Sequence, residues 1–404
     1  MSENVIGALV DLLQLLFFLI ASYYLGIAVF SLFPVRESGH QEGQLRFAVV
    51  IPAHNESAVL GSLLNSLRQQ DYPQEAFSVF VMADHCTDHT AQTASKMGAR
   101  VLYPDKTANR GKGYVLADAF AQILNRAEDF DAIAVIDADN IADSRFLAEI
   151  NDSMLQGCQA VQGYIDAKNP NDSWLSHAYA MWYWITNRIS QMGCSRLGLG
   201  CRLGGTGFAL SCGLLREIPW ETGSLAEDAE YTLKLALADV RIAYAHKAVV
   251  YDEKPNSFRA SVRQRCRWTQ GITAVQRDYT GRLIRSGKWS ALFRFWSDLL
   301  MPLCFILFLF MDIFAVLNLC QITSAKFADF WTQPFDLILL NLYLFGMIFT
   351  VCCGLVQDKK CNSKLILNLF GFMIYMLSWI PAGLFGILRH TKKDWYHTEH
   401  KHSV

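Results

Sequence analysis

Gln264, Arg265, Cys266, Arg267 and Trp268 carry more usable chemistry than any other short run of this sequence. Gln264, Arg267 and Trp268 stand at i, i+3 and i+4, so a helix puts an amide, a guanidinium and an indole on one face. An amide and an indole N–H can hold sugar hydroxyls, an indole ring can stack on a pyranose, and a guanidinium can grip phosphate with two parallel hydrogen bonds. Three acidic sites precede the run: Asp84, the pair Asp137 and Asp139, and Glu227-Asp228. An apolar stretch follows it. That order points to sugar transfer next to a membrane.

Each acidic site has a chemical reading and a plainer one. Asp137-Ala138-Asp139 ends the strand-like run Ala132–Ile136 and sets two carboxylates within one turn. Such hard oxygen ligands suit Mg²⁺ or Mn²⁺, which bridges to a diphosphate and offsets charge on a leaving group; a solvated, helix-capping turn is the alternative. Asn55, Glu56 and Asp84 follow the first two strand-like runs. They are placed to bind the base and ribose of a nucleotide, and also to cap the helices that come next. His85, Cys86 and Asp88 lie beside them without a matching metal-ligand set. Arg110-Gly111-Lys112-Gly113 opens a helix, where backbone N–H groups and Lys112 can cradle phosphate or form an ordinary turn. Gly204 to Phe208 enters a strand, and its glycines permit close approach to a ligand or a tight turn. Glu227-Asp228 begins a helical run to Ala238. Carboxylates there suit the helix dipole, and Asp228 is placed as a general base for an acceptor hydroxyl. Arg263 and Arg265 read as contacts to lipid headgroups, and the tail histidines as solvated.

Elements that position these residues alternate between strand and helix. Strand-like runs at Arg46–Ile51, Phe77–Met82, Arg100–Leu102, Ala132–Ile136 and Ala160–Ile165 are separated by helical spacing at Val59–Gln70, Thr90–Met97, Gly113–Asn125 and Phe146–Leu155. This predicts an α/β domain with a mostly parallel sheet and helices on both faces. Ligands of such sheets bind at the carboxyl ends of strands, where Pro52, Ala53, Asn55, Asp84 and Asp137 fall. Neither GxGxxG nor a Walker A sequence is present, which argues against a dinucleotide oxidoreductase and a P-loop ATPase. A formal charge of −1 argues against a nucleic-acid partner. Eleven scattered cysteines show no CxxC spacing and read as free thiols in a reducing compartment.

The 404 residues are 52 % hydrophobic, and the apolar residues concentrate at the two ends. Val5–Phe33 exceeds the roughly 20 residues that span a bilayer. Its basic residues, Arg36 and Arg46, come after it, which predicts a retained helix with the central domain in the cytoplasm. Leu299–Cys320, which contains Asp312, Phe335–Val356 and Leu365–Leu388 are further runs of spanning length. The stretch Trp289–Trp296 suits a membrane-surface helix or a linker helix. Three simple crossings would leave the basic tail outside, against the positive-inside tendency. One of the three is therefore a candidate re-entrant element, with Pro381, Gly383 and Gly386 as its marks. The organisation expected is a transmembrane helix at 1–35, a cytoplasmic catalytic domain at 46–275, an interfacial helix at 285–297, membrane segments at 298–390 and a basic tail at 391–404.

Taken together, Asp84, Asp137-Ala138-Asp139, Asp228 and the run Gln264 to Trp268 resemble the signature of the glycosyltransferase family 2 membrane synthases. That group includes cellulose, chitin, hyaluronan and poly-N-acetylglucosamine synthases. Thirty-five residues lie between Asp228 and Gln264, as in the family pattern. The stretches VVIPAHNES, ADHCTDHTA, NRGKGYVLADAF, VIDADN, VQGY, SLAEDAEYTLKL and VYDEKP look closest to an exopolysaccharide-synthesis branch, the EpsO-like group. The resemblance implies a GT-A nucleotide-sugar fold with transmembrane helices at both ends. It also implies an NDP-sugar donor, with a UDP-sugar first in line, Mg²⁺ or Mn²⁺, and inversion at the anomeric carbon. Carried over, Asp84 contacts the nucleobase beside Pro52, Ala53, Asn55 and Glu56, with Lys112 on the donor as well. Asp139 is the main metal carboxylate, and Asp137 lies near the metal, diphosphate or sugar. Asp228, next to Glu227, is the base; Gln264 and Arg267 meet the diphosphate or sugar; Trp268, Gly205, Thr206 and Gly207 meet the acceptor. Ala226 departs from the pattern, since many relatives have Thr there. The acceptor expected is a growing glycan or a lipid-linked one, at the lipid bilayer of the cell membrane. A single addition to a lipid carrier and a non-catalytic nucleotide-sugar sensor are the competing readings.

Overall fold

Phe47–Ala53 carries no charge, and every residue but Pro52 is buried. Successive strand residues face opposite ways; here Val49 and Ile51 enter one core while Ala48 and Val50 enter another. A strand covered on both faces belongs in the middle of a sheet with helices on either side. The computed structural model describes residues 2–33, 42–105, 111–126, 128–297, 313, 315–322, 334–361, 365 and 367–389. Arg36, Arg110, Asp312 and the tail 391–404 lie outside the described residues, as does most of Leu299–Cys320.

The chain runs α1 (Ser2–Ser31), β1 (Phe47–Ala53), α2 (Leu60–Arg68), β2 (Phe77–Ala83), α3 (Thr90–Lys96), β3 (Arg100–Leu102), α4 (Lys112–Leu124), β4 (Ala132–Val135), β5 (Ile141–Ala142), α5 (Phe146–Leu155) and β6 (Ala160–Ala167). There follow α6 (Trp174–Ile185), a π-helical segment (Thr186–Gly193), the short α7 (Cys194–Arg196), β7 (Phe208–Ser211), α8 (Cys212–Glu217), α9 (Glu227–Leu237), β8 (Ile242–Asp252) and α10 (Phe258–Arg285). A helix at 289–297 (α11) precedes α12 (Pro334–Gln357), α13 (Leu369–Leu377) and α14 (Trp379–Leu388). Helices α2, α3 and α5 cover one face of the sheet; α4, α8 and α9 cover the other.

The eight strands lie in the order β3-β2-β1-β4-β7-β6-β8-β5. The first four are parallel, as expected. β7 opposes both β4 and β6, β5 opposes β8, and only β6 and β8 are parallel in the second half. The sheet is therefore mixed rather than mostly parallel. The excursion after β6 does not cross back over the sheet: α6, the π-helical segment and α7 stay at the edge where β6 ends, so β7 starts there and runs the other way. Gly207, with φ 62°, makes that entry possible; a Cβ there would lie 2.5 Å from Val250 Cγ2. As a result the ends of β1, β2, β4, β6 and β8 and the start of β7 share one edge.

Helix α10 carries Gln264 to Trp268 and packs on α14. A Cβ at Gly386 would stand 2.7 Å from the Cys266 carbonyl oxygen, so glycine sets that approach. The expected run Leu365–Leu388 is broken at Ser378, because Pro381 has no N–H for the carbonyl one turn earlier. Near the break, the Tyr375 carbonyl accepts from Ser378 Oγ at 2.7 Å and from Arg265 Nη1 at 3.0 Å. Arg265 is fully buried, its guanidinium 4.6 Å from the Tyr375 ring centre and 5.4 Å from that of Trp379. The headgroup role expected for Arg265 is thus overturned: burial against two rings and a hydrogen bond to the Tyr375 carbonyl account for it. Arg263 is exposed. In α11, Ala291, Leu292 and Phe295 pack on Val275, Tyr279 and Leu283 of α10, while Trp289 is exposed. Among the described residues, Leu369–Leu388 is long and apolar enough to cross a membrane, and Phe18–Ser31 and Asn341–Gln357 are shorter apolar helical stretches. Replacing Arg265 by Ala removes a donor and a cation from this junction, costing on the order of 3 kcal/mol. Thermal unfolding of the full-length protein in detergent should show a clear fall for Arg265→Ala and a far smaller one for Arg263→Ala.

Candidate active site

The shared edge opens into a cleft of about 1520 Å³. Every site residue expected from sequence lines it except Asn55 and Gly207. Asn55, at φ 55°, instead accepts from Thr87 N at 2.8 Å, tying the loop after β1 to the loop after β2. Gly207 sits beneath the cleft, at the entry to β7.

At one end, buried Asp84 meets His85 Nδ1 at 2.5 Å, and its carbonyl accepts from His54 Nδ1 at 2.6 Å. Neither Asn55 nor Asp84 caps a helix. Asp88 takes that work: it accepts from Thr90 N at 3.0 Å, Thr90 Oγ1 at 2.6 Å and Ser57 N at 3.0 Å. Burial pushes the Asp88 carboxyl up, but these bonds outweigh it and bring it to about 2. The capping expected of Asn55 and Asp84 is corrected accordingly: Asn55 ties two loops together, and Asp84 lines the cleft.

In the middle, Asp137 and Asp139 follow β4 in a turn closed by Asn140 N to Asp137 O at 3.0 Å. Lys112 Nζ donates to Asp137 Oδ1 and, at 2.9 Å, to the Gly205 carbonyl. Burial would depress the Lys112 ammonium, yet Asp137 and Glu227 beside it raise it, so it stays charged. Thr206 is buried and holds the turn: its Oγ1 accepts from Asp137 N at 3.0 Å and donates to Asn140 Oδ1 at 2.7 Å. That use of the hydroxyl leaves Thr206 as a support for the acidic turn more than as an acceptor contact. Asn140 Nδ2 donates to Asp139 Oδ1 at 3.0 Å and to Asp252 Oδ1 at 2.9 Å. Asp252 also pairs with Lys254 Nζ at 2.5 Å, and that ammonium lies 3.3 Å from the Tyr183 ring centre. Asp139 is 7 % exposed. Burial holds its carboxyl well above the usual range, and the charges of Asp252, Asp137 and Glu253 add to the effect. Asn140, Asp252, Lys254 and Arg202 are site residues the sequence analysis did not single out. VYDEKP contained Asp252 and Lys254, but nothing in the spacing tied them to Asp139.

The far wall belongs to α9 and α10. Asp228 Oδ1 accepts from Ala229 N at 2.8 Å in the first turn of α9. Gln264 Oε1 accepts from Tyr179 OH at 3.1 Å, and the Trp268 ring stacks on Trp379 with centres 6.3 Å apart. Gln264, Arg267 and Trp268 face the cleft together, as their helical spacing predicts. Burial holds the Glu227 carboxyl up at about 7, the Asp228 charge adding to it while Lys112 and Arg267 pull it back. Burial raises the Asp228 carboxyl too, against the Ala229 N–H and the charges of Lys112 and Arg202.

A family model described as "Glycosyltransferase like family 2" matches residues 44–271, a span that holds Asp84, Asp137, Asp139, Glu227, Asp228, Gln264, Arg267 and Trp268. The chain belongs to that family. It is similar to a probable glycosyltransferase, YdaM, of Bacillus subtilis (strain 168), at 21 % identity over 376 residues, which is 88 % of this chain and 86 % of the relative. It is also similar to a poly-beta-1,6-N-acetyl-D-glucosamine synthase of Staphylococcus epidermidis, at 23 % identity over 366 residues, 86 % of this chain and 81 % of the relative. Among solved structures, the mannosyltransferase PcManGT from Pyrobaculum calidifontis, in complex with GDP-Man and Mn²⁺, superposes with a TM-score of 0.55 at 16 % identity. That match covers 93 % of this chain and 98 % of the other, and it shows the fold: a mixed α/β, GT-A-like domain.

The family resemblance implies a divalent metal, and the donor set fits one. Asp139 is buried among carboxylates that raise it, which is a field a hard cation would relieve. Among the described residues, no three acidic, His or Cys side chains are gathered as a closed ligand set. A cation would therefore take one or two protein carboxylates and fill its other positions from substrate and water, as Mg²⁺ usually does.

The two raised carboxyls on α9 set a pH dependence. A carboxyl whose folded value exceeds its unfolded one favours folding while protonated, and that contribution is lost as pH climbs through the folded value. The ligand-free protein should lose stability between about 4.5 and about 7, the window Glu227 spans. Melting temperature against pH should show this slope, and Glu227→Gln should flatten it; an unchanged slope would mean that Glu227 titrates as an ordinary surface carboxylate.

Proposed function

We propose that the chain is a membrane-bound, inverting glycosyltransferase that moves a sugar from an NDP-sugar, a UDP-sugar in the first instance, to a growing exopolysaccharide or a lipid-linked glycan. One observation carries this reading: Asp84, the Asp137/Asp139 pair, Asp228 and the face of Gln264, Arg267 and Trp268 line a single cleft. Asp84 binds the nucleobase end. Asp139, with Asp137, would hold Mg²⁺ or Mn²⁺, which when bound offsets the charge of the diphosphate. Lys112 and Arg267 bring positive charge to the same diphosphate. Asp228 takes the proton of an acceptor hydroxyl as that oxygen attacks the anomeric carbon on the face opposite the leaving nucleotide, so the configuration inverts. Trp268 supplies a ring on which the acceptor sugar stacks. Its place on α10, packed on the apolar α14, supports a catalytic domain that works at the cytoplasmic surface of the cell membrane, anchored by helices at both ends.

A second reading, a single addition to a lipid carrier, is favoured by the walls of the same cleft. Beyond Trp268 they continue onto Met347, Phe372, Met376 and Ile380 of the apolar helices, where the lipid part of an acceptor would lie. Sizing the product made by purified protein separates polymer from single addition.

Asp228→Asn should lower transfer by about 10²–10⁴-fold, the usual worth of a general base, while NDP binding is kept; transfer at the normal rate would remove Asp228 from the role. Asp139→Ala should abolish the part of UDP binding that depends on Mn²⁺, read by calorimetry with and without chelator. A wild-type UDP affinity that chelator leaves unchanged, or a chelator effect that persists in Asp139→Ala, would overturn the metal assignment.

A further inference from the structure

Tyr183 stands in the last turn of α6, four residues after Tyr179 and so on the same side of the helix. A buried tyrosine hydroxyl usually finds a hydrogen-bond partner. Tyr179 does: its OH donates to Gln264 Oε1 at 3.1 Å. Tyr183 is half-buried and lines the cleft. Among the described residues its hydroxyl has no hydrogen-bond partner, and its oxygen is not sealed into the core as those of Tyr164 and Tyr375 are.

Contacts that do not involve the hydroxyl hold the ring in place. Lys254 Nζ lies 3.3 Å from the ring centre, a cation–π contact. That ammonium is itself fixed. It pairs with Asp252 Oδ2 at 2.5 Å, and Asn169 holds the Lys254 backbone from both sides. Asn169 Oδ1 accepts from Lys254 N at 2.7 Å, and Asn169 Nδ2 donates to the Lys254 carbonyl at 3.0 Å. The ring also packs on the cluster of Leu175, Tyr179, Tyr375 and Met376, which Trp268 joins from α10.

Tyr183 therefore reaches both sides of the cleft. Through Lys254, Asp252 and Asn140 it is tied to Asp139; through the aromatic cluster it stands beside the α10 wall. Burial holds the phenol well above its ordinary value, and the charge of Asp252 adds to this, so the hydroxyl keeps its proton. The carboxylates nearby can only accept. A sugar hydroxyl can accept from the phenol and donate to a carboxylate at the same time, which the apolar part of a lipid cannot.

We propose that Tyr183 is a substrate-binding residue whose hydroxyl donates to a hydroxyl of the sugar being transferred. The inference rests on the reading of the cleft as a nucleotide-sugar site. In that reading the diphosphate lies at Asp137 and Asp139 and the acceptor comes from the α10 wall. The transferred sugar then lies between them, over the Tyr183 hydroxyl.

The test titrates full-length protein in detergent, with Mn²⁺, by calorimetry with UDP, GDP, UDP-GlcNAc, UDP-Glc and GDP-Man. Tyr183→Phe deletes the hydroxyl and keeps the ring on Lys254. It should weaken the nucleotide-sugar that wild type binds most tightly by about tenfold, while the matching free nucleotide stays within about twofold. A structural defect would weaken both together and lower the melting temperature. Single-deoxy analogues of that sugar identify the hydroxyl: the analogue lacking it should bind wild type and Tyr183→Phe alike. If both proteins bind the intact nucleotide-sugar equally, the inference is overturned while the nucleotide-sugar reading stands, even if the KM for an acceptor rises. If wild type binds none of these ligands, the nucleotide-sugar reading falls and the inference with it.

Discussion

Carboxylates that repel one another must share one cleft, and much of the domain is arranged around that constraint. Asp137, Asp139 and Asp252 meet at the end of the sheet, and Glu227 and Asp228 face them from α9. Left alone, such groups would take up protons, because burial and like charge both disfavour the ionised form. Four basic side chains distribute the opposing charge: Lys112 to Asp137 and towards Asp228, Lys254 to Asp252, Arg202 towards Asp228, and Arg267 towards Glu227. Asn140 works differently. Its amide donates to Asp139 and Asp252 at once while its oxygen accepts from Thr206, so a neutral side chain fixes two acids without cancelling either. The residual field at Asp139 is what a bound cation would use.

The second half of the structure joins this cleft to the apolar helices through buried polar contacts. Arg188, in the π-helical segment, pairs with Asp358 just past α12 at 3.0 Å, and both are almost fully buried. Asp166, at the end of β6, accepts from Trp184 Nε1 at 2.6 Å and from Lys360 Nζ at 2.5 Å. Arg265 reaches the junction of α13 and α14. Breaking a buried pair costs more than its formation contributes, so such contacts specify a unique docking even where they add little stability. The α10 wall of the cleft and the loop of residues 201–207 therefore have their geometry set in part from outside the sheet.

How far the sequence discloses this depends on how local each signal is. β1 to β4 and their helices are legible because each crossover is a local strand–helix pattern, and Asp84 and Asp137 are legible because they follow those strands. Gln264, Arg267 and Trp268 are legible from helical spacing alone. β7 is not: its direction depends on where α6 and the π-helical segment go, and no periodicity records that. Asn140 adjoins a conspicuous pair of acids yet acquires its meaning only when Asp252, 112 positions later in the chain, comes alongside. Gln191 and Arg202 are joined by tertiary bonds across a loop whose sequence reads as an ordinary glycine-rich turn. Arg265 was misread for a related reason, since an arginine before an apolar stretch looks like a headgroup contact until a helix break supplies it with a carbonyl.

Ala226 shows how packing can explain what looks like a missing group. Against the family pattern it lacks a hydroxyl close to Asp228, which suggested a changed acceptor contact. In the fold it is the N-cap of α9, offers that helix no side-chain cap, and is 7 % exposed. Gly271 of α10 lies against it so closely that a Cβ added there would stand 2.8 Å from the Ala226 Cβ and 2.7 Å from its nitrogen. A larger side chain at 226 would have to find room against α10, the helix that carries Arg267 and Trp268. With no capping hydroxyl, the first N–H groups of α9 are left for acidic groups, and Ala229 N takes Asp228 Oδ1. A helix N-terminus favours negative charge there. Small residues at 226 and 271 thus let the α10 wall of the cleft close on the helix that carries Asp228, and the uncapped terminus adds its dipole to Lys112 and Arg202 in favouring the charged form of that carboxyl.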